Sequence, residues 1–203
     1  MFITFEGSEG SGKTTQITLL ADFLRQRGLS VVVTREPGGT PIAEQVRQVL
    51  HDVQNTAMTA EAEILLYAAS RAQHVGELIR PALAQGQWVL CDRFADSTLA
   101  YQGYGRGLDL AALRQITQFA TGGLQPQRTF YFDIDVQTGL ERRVAGELEM
   151  NRMDLQQQAF YERVRAGYNE LIAAEPNRWV RLNAARPIAD IQTELQQLVM
   201  SNE

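Results

Sequence analysis

Apolar residues follow two alternating patterns along this chain: short uninterrupted runs, and longer stretches with helical spacing. Short runs rich in β-branched and aromatic residues, bounded by glycine or polar residues, are typical of buried strands. We therefore predict strands at Phe2–Glu6, Ser30–Arg35, Trp88–Asp92, Thr129–Asp135 and Arg178–Asn183.

The segments between these runs carry apolar residues every three or four positions, which predicts amphipathic helices. Proline in a first turn, a threonine cap and a terminal glycine help to set their bounds. The predicted helices are Lys13–Arg27, Pro41–His51, a long helix from Thr59 to Gly86 with a kink at Pro81, Asp109–Ala120, the segment 160–171, and a last helix that starts at Pro187.

The alternation of strands and helices predicts the fold class. Strands joined through helices form parallel crossovers, so we expect an α/β fold with three α/β/α layers around a five-stranded parallel sheet. Ligands of such folds bind beyond the carboxyl ends of the strands. A glycine-rich loop follows the first strand, "REPGGT" the second and "DRF" the third. We therefore expect the functional residues at that edge of the sheet.

Length and charge narrow the function classes. The chain has 203 residues, which suits a single domain, and a formal net charge of −5, which argues against a nucleic-acid partner. No apolar stretch approaches the roughly 18 residues of a membrane span, and the first residues lack the pattern of a signal peptide. With Cys91 as the single cysteine, we expect a reducing, cytoplasmic location without a membrane partner.

The loop after the first strand carries the clearest chemistry. In "FEGSEGSGKTT", Gly7, Gly12, Lys13 and Thr14 match the phosphate-binding pattern GxxxxGK(S/T), between a strand and a helix as the pattern requires. We expect Lys13 to reach the β- and γ-phosphates of a nucleotide, and the Thr14 hydroxyl to bind Mg²⁺. The predicted nucleotide-phosphate residues are Gly7, Ser8, Glu9, Gly10, Ser11, Gly12, Lys13, Thr14 and Thr15.

Arginines near this loop suggest a second phosphate. Arg35 and Arg93 follow strand ends, and Arg71 lies on the long predicted helix. A guanidinium group suits an acceptor phosphate, which favours a nucleoside monophosphate kinase. Two alternatives stay open at this point: ordinary surface arginines on a nucleotide-dependent switch protein, and a kinase for any of several nucleoside monophosphates.

Four stretches in this order and spacing, "FEGSEGSGKTT", "TREPGGT", "SRAQH" and "DRFADSTLAYQGYGRG", closely resemble the bacterial thymidylate kinase family over nearly the whole chain. The resemblance implies a homodimeric P-loop kinase that makes dTDP from dTMP and ATP with Mg²⁺, in dTTP biosynthesis. It also implies a single nucleoside monophosphate kinase domain over residues 1–203, with a mobile lid at about residues 139–160.

The resemblance further implies roles for residues at the phosphates. Arg93 and Arg35 would hold the dTMP phosphate, with Arg93 and Lys13 acting in catalysis. Asp92 would organise Mg²⁺ together with Thr14. Glu9, inside the phosphate loop, would contact the sugar 3′-hydroxyl group.

The same resemblance places the base of dTMP. Tyr67 would stack on thymine, and Arg71, one helical turn later, would bind the edge of the base. The residues implied to line the base and the deoxyribose are Thr98, Tyr101 and Gln102. Simple core packing of Tyr67 remains the alternative for that residue.

The resemblance also implies that an arginine of the lid completes the site, because the phosphate loop contains no arginine. The arginine that bacterial relatives place before the "GEL" glycine is replaced here by Ala145. Three lid arginines remain, and we expect Arg152, and after it Arg142, to act on the transferred phosphoryl group, with Arg143 as a further candidate. Solvated helix charges are the alternative for all three.

Overall fold

The computed structural model describes residues 1–145 and 151–201. These residues form one parallel sheet of five strands in the order β2-β3-β1-β4-β5. The order places the first strand at the centre, so the loop that follows it opens at the middle of the sheet edge. The strands are β1 Phe2–Glu6, β2 Val31–Arg35, β3 Trp88–Asp92, β4 Arg128–Asp133 and β5 Trp179–Asn183.

Helices connect the strands at the positions that the apolar spacing predicts. Two of them begin as their sequences indicate: Pro41 occupies the first turn of its helix, and the Thr59 side chain accepts a hydrogen bond from the backbone N–H of Ala62 at 3.2 Å. The α-helices are α1 Lys13–Gln26, α2 Pro41–His51, α3 Ala60–His74, α4 Arg80–Ala84, α5 Ala95–Thr98, α6 Leu110–Thr121, α7 Val136–Ala145, α8 Gln158–Ala174 and α9 Ile188–Met200.

Within residues 1–145 and 151–201, two π-helical turns and one 3₁₀ turn interrupt this pattern. The first π-helical turn, Val75–Ile79, joins α3 to α4, and the backbone N–H of Arg80 donates to the Val75 carbonyl five residues earlier. The predicted long helix thus changes its hydrogen-bond step just before Pro81, which lacks an N–H. The second π-helical turn is Leu99–Gly105, and the 3₁₀ turn is Arg152–Leu155.

Apolar side chains on both faces of the sheet form the core. On one face, α1 and α9 pack against the central strands through residues such as Leu20 and Leu195. On the other face, α8 packs against β4 and β5, while the turn Val75–Ile79 packs near β3. The described residues therefore form three layers, as predicted. They include no helix with the length and apolarity needed to cross a bilayer.

Candidate active site

The loop between β1 and α1 has a backbone that requires glycine. Gly10 and Gly12 have φ angles of 71° and 84°, and a Cβ atom on Gly10 would lie 2.1 Å from the Gly139 carbonyl oxygen. Gly12 caps α1 without any side-chain hydrogen bond, so the first N–H groups of the helix receive none from the capping residue. Such N–H groups at a helix N-terminus bind phosphate oxygens.

Lys13 lies inside this loop. Its ammonium group donates to the carbonyl oxygens of Gly7 at 3.1 Å and Ser8 at 2.9 Å, and to the Ser11 hydroxyl at 3.3 Å. Burial, followed by the charge of Arg93, lowers its pKa. These three oxygens are uncharged, so the positive charge remains available to an anionic ligand in the loop.

Thr14 and Asp92 meet at the first turn of α1. The Thr14 hydroxyl donates to Oδ2 of Asp92 at 3.0 Å, and Oδ1 of Asp92 is buried without a hydrogen-bond partner among the described residues. A hydroxyl and a carboxylate oxygen are the hard donors that Mg²⁺ prefers, and this metal usually completes its shell with water and substrate phosphates. The described residues contain no cluster of three or more His, Cys, Asp or Glu that could hold a metal alone. The residues present therefore fit a Mg²⁺ ion that is held partly by a nucleotide.

Arg93 follows β3 in a left-handed backbone conformation, with φ at 68°. This conformation is uncommon outside glycine and is often found at functional sites. It turns the guanidinium group toward the phosphate loop, where Nη2 donates to Oε1 of Glu9 at 2.8 Å. The group also lies 4.9 Å from the centre of the Tyr101 ring.

Glu9 is the acidic member of this pair. Burial alone would raise the pKa of Glu9, but the positive charges of Arg93 and Lys13 outweigh burial and lower it to about 2. Glu9 is therefore ionised at neutral pH. A charged carboxylate at this place repels phosphate but accepts hydrogen bonds from hydroxyl groups.

Glu6, at the end of β1, supports the turn that carries Arg93. Its carboxylate accepts from the backbone N–H of Phe94 at 2.8 Å, from the Tyr168 hydroxyl at 2.7 Å and from the Ser97 hydroxyl. Burial and the nearby charge of Asp96 raise the pKa of Glu6 to about 7. This carboxyl group thus fixes the backbone one residue after Arg93.

Arg71 is held rigidly at the other end of the site. Its side chain is 2% exposed, and Nε donates to Glu36 at 2.7 Å, Nη1 to the Thr98 hydroxyl at 2.9 Å and Nη2 to the Phe94 carbonyl at 3.0 Å. Glu36 also bonds Nδ1 of His74 at 3.1 Å. Five N–H groups are available in a guanidinium, so Arg71 can still donate to a ligand.

One cleft of about 1060 Å³ joins these groups. It is lined by the loop from Glu9 to Thr15, by Asp92, and by every residue that the sequence predicts to contact dTMP. Tyr101 is one of these residues, and its buried hydroxyl has no hydrogen-bond partner in the described parts of the chain. The sheet edge therefore brings the phosphate loop and the residues predicted to bind the base into a single cavity.

The structure does not bring Arg152 into this cleft, in contrast to our first choice for a catalytic lid arginine. The Arg152 side chain is buried, Nε donates to the Leu50 carbonyl at 2.9 Å, and Nη2 pairs with Glu63. These contacts hold Arg152 away from the phosphate loop. Sequence spacing could not reveal them, because Glu63 lies 89 residues earlier.

Arg142 and Arg143 do line the cleft. Nη1 of Arg142 donates to the Ala184 carbonyl at 3.1 Å, and the β-carbon of Arg142 lies beside Gly10 of the phosphate loop. Arg143 binds Asp154 through Nε at 3.1 Å and Nη2 at 2.8 Å. Residues 146–150, including the expected "GEL" glycine, lie outside the described residues.

Comparison with known proteins identifies the family. A family model described as thymidylate kinase matches residues 5–195. The chain belongs to the thymidylate kinase family. It is 51% identical to a thymidylate kinase of Roseiflexus sp. (strain RS-1) over 210 residues, which cover 98% of this chain and 93% of the relative. It is 48% identical to that of Teredinibacter turnerae over 195 residues, with coverages of 96% and 95%.

A solved structure confirms the fold within the thymidylate kinase family. The crystal structure of thymidylate kinase from Ehrlichia chaffeensis superimposes with a TM-score of 0.79 at 35% sequence identity and covers 98% of each chain. The predicted resemblance, the α/β/α P-loop kinase fold and the kinase activity are therefore confirmed. The individual roles of the cleft residues remain predictions.

The sequence of this thymidylate kinase family member did not point us to Arg47. Arg47 lies on α2, lines the cleft, and donates to the Pro37 carbonyl at 2.9 Å. A signal was available, because Arg47 and Glu44 are three residues apart on one face of α2. Glu44 in turn holds Arg35 through two hydrogen bonds of 2.9 and 3.0 Å.

Proposed function

We propose that the protein transfers the γ-phosphoryl group of ATP to dTMP, giving dTDP and ADP, in the presence of Mg²⁺. Family membership supports the reaction. The observation that carries the residue assignment is the single cleft in which the phosphate loop and the Arg71 end meet. Transfer between two phosphates depends on positioning and charge stabilisation, and this cleft offers both.

At the donor end, the loop amides and Lys13 bind the phosphates of ATP. Lys13 is positioned by uncharged oxygens only, so its charge acts on the transferred group. Thr14 and Asp92 hold Mg²⁺, which neutralises phosphate charge when it is bound. The orphaned Oδ1 of Asp92 supports this assignment.

At the acceptor end, Arg93 and Arg35 bind the dTMP phosphate. Arg93 is already turned toward the loop, whereas Arg35 must exchange its contact with Glu44. Glu9 stays ionised beside Arg93 and accepts the 3′-hydroxyl hydrogen bond. Guanidinium groups between two polyanions also reduce their mutual repulsion.

The base lies between the ring of Tyr67 and the donors of Arg71. Arg71 donates to a carbonyl group on the edge of thymine, because it carries no acceptor. Thr98, Tyr101 and Gln102 complete the wall around the base and the deoxyribose. Tyr101, whose ring lies 4.9 Å from the Arg93 guanidinium, is the residue that we assign to the steric exclusion of a ribose 2′-hydroxyl group.

We place the lid, at about residues 139–160, within a single domain of residues 1–203, and propose that it moves over the bound phosphates. Arg142 becomes the first candidate for the transferred phosphoryl group, since it lines the cleft beside Gly10 while Arg152 is bound to Glu63. Arg143 lines the cleft as well but is paired with Asp154.

We also propose that the kinase forms a homodimer and that it is located in the cytoplasm. Leu65 on α3 and Phe119 on α6 are 58% and 89% exposed, although these two helices pack against each other. Exposed apolar side chains on two neighbouring helices support association between copies. A buried, reduced Cys91 is compatible with the cytoplasm. Sedimentation would measure the mass in solution.

The function is tested by turnover with ATP and alternative acceptors. We expect dTMP to be preferred over dUMP, UMP and GMP, and the variants Lys13→Ala and Arg93→Ala to lose at least about 100-fold in kcat while staying folded. Equal rates with all monophosphates would contradict the thymine assignment. ATP hydrolysis that ignores every monophosphate would favour a switch protein instead.

A further inference from the structure

Glu63 is a buried carboxylate that the proposed reaction does not use. It lies on α3, is 1% exposed, and accepts hydrogen bonds from Nε2 of Gln102 at 2.7 Å, from Arg106 at 2.7 Å through both Nε and Nη2, and from Arg152. Burial tends to raise the pKa of Glu63, but these hydrogen bonds outweigh burial and lower it. Glu63 is therefore an ionised group that only accepts hydrogen bonds.

Two helical segments meet at Glu63, and together they form one wall of the cleft, which we call the base wall and which is lined by Tyr67, Arg71, Thr98 and Gln102. Glu63, Tyr67 and Arg71 are spaced four residues apart on α3. They face a second series with the same spacing on α5 and the following turn, namely Thr98, Gln102 and Arg106. Arg71 bonds Thr98 at one end of the wall, and Glu63 bonds Gln102 and Arg106 at the other.

The charge of Glu63 decides how the amide of Gln102 is oriented. A carboxylate cannot donate, so the amide nitrogen of Gln102 must face Glu63 and the amide oxygen must face elsewhere. Gln102 lines the cleft, and its oxygen has no partner among the described residues. The base wall thus offers donors at Arg71 and an acceptor at Gln102, on either side of Tyr67.

This order of donor and acceptor matches one class of base. Thymine and uracil carry a carbonyl oxygen next to an N–H group, whereas cytosine carries an amino group next to a bare ring nitrogen. Arg71 and Gln102 can satisfy the first edge together. Against cytosine, a donor would face a donor and an acceptor would face an acceptor, and buried unpaired polar groups are costly.

We propose that Glu63 is a positioning residue for base specificity: by holding the amide nitrogen of Gln102, it presents the Gln102 oxygen to the ring N–H of thymine or uracil and disfavours cytosine. The proposal rests on the proposed function, because it requires the base of dTMP to lie at Tyr67. Glu63 itself does not touch the base.

The test compares dTMP, dUMP and dCMP as acceptors for wild type and Glu63→Gln. Glutamine has the same shape, but its amide can also donate a hydrogen bond. The side-chain amide of Gln102 can then rotate and present its nitrogen to the cleft. We expect the ratio of kcat/KM for dTMP to that for dCMP to fall at least about tenfold. The ratio for dTMP to dUMP should not change, because these two bases share the same edge and differ by a methyl group.

The control is Arg106→Lys, which weakens the same buried cluster but leaves the contact between Glu63 and Gln102. We expect a lower Tm and an unchanged dTMP-to-dCMP ratio for this variant. In the background Gln102→Ala, which removes the amide, Glu63→Gln should cause no further loss of selectivity. Additive losses would overturn the proposal.

If Glu63→Gln does not fold, Glu63→Asp replaces it. The shorter side chain withdraws the carboxylate from Gln102, so the dTMP-to-dCMP ratio should fall by a smaller factor. An unchanged ratio in a folded Glu63 variant overturns the inference while the kinase assignment stands. A wild-type protein that phosphorylates no dTMP would instead overturn the proposed function.

Discussion

Arg71 and Arg35 are two arginines assigned to the same substrate, yet their surroundings differ sharply. The side chain of Arg71 is 2% exposed and bonded to three fixed groups of the protein. The side chain of Arg35 is 47% exposed and bonded to Glu44, whose side chain is also exposed. Under the proposed assignment, the base end of the cleft is therefore built before substrate binds, whereas Arg35 at the phosphate end must exchange a surface ion pair.

The largest effect is expected when the carboxylate of Glu36, which holds Arg71 in place, is removed. Glu36→Gln removes the carboxylate that binds the buried Arg71 guanidinium, and His74 loses the same partner. We expect a loss of about 3–5 kcal/mol in the free energy of unfolding, together with a higher KM for dTMP. Urea denaturation and initial rates measure both quantities. A loss below about 1 kcal/mol would mean that Arg71 is not held by this pair.

A second experiment uses the pH dependence of stability to examine Glu6. Its pKa is raised from 4.5 in the unfolded chain to about 7 in the folded protein, so the folded protein binds more protons between these values. The stability that this group contributes is therefore fully present below about pH 4.5. It falls by about 3 kcal/mol in total as the pH rises to about 7, and it is constant above that pH.

The variant Glu6→Gln should lack this fall, so the difference in stability between variant and wild type should change by about 3 kcal/mol as thermal unfolding is measured from pH 4.5 to 8. The exposed Glu170 on α8 offers the matched control, and Glu170→Gln should follow the wild-type curve. Parallel curves for Glu6→Gln and wild type would show that the carboxylate is fully ionised at pH 5 in the folded protein.

The smallest effect is expected at the phosphate end. Glu44→Gln weakens an exposed pair with Arg35, so the free energy of unfolding should change by less than about 1 kcal/mol. The freed Arg35 should bind the dTMP phosphate more readily, which would lower KM up to about twofold at low salt and less at high salt. A large loss of stability would show that Arg35 is held as firmly by Glu44 as Arg71 is held by its own partners.

Local patterns in the sequence predicted most of the fold and the chemistry of the cleft. The bounds of β1, β3 and α2 agree with prediction, because a short apolar run or a proline in the first turn is a local signal. The phosphate loop could be predicted equally well, because its glycines and its single lysine lie close together in the sequence.

The partners of buried charges could not be predicted in the same way. Glu6, Glu36 and Glu63 are all buried acids that orient cleft residues, and each acts on groups far away in the sequence. The π-helical turn Leu99–Gly105 also depends on distant packing. A Cβ atom on Gly105 would lie 2.7 Å from the ring of Phe160 on α8.

The single lysine of the chain has a practical consequence. Apart from the N-terminus, Lys13 is the one primary amine in the sequence, and burial lowers its pKa. An aldehyde or ester that labels amines therefore has one side-chain target, inside the phosphate loop. The extent of labelling would report directly how much of the loop is occupied by nucleotide, without mutation or an added fluorophore.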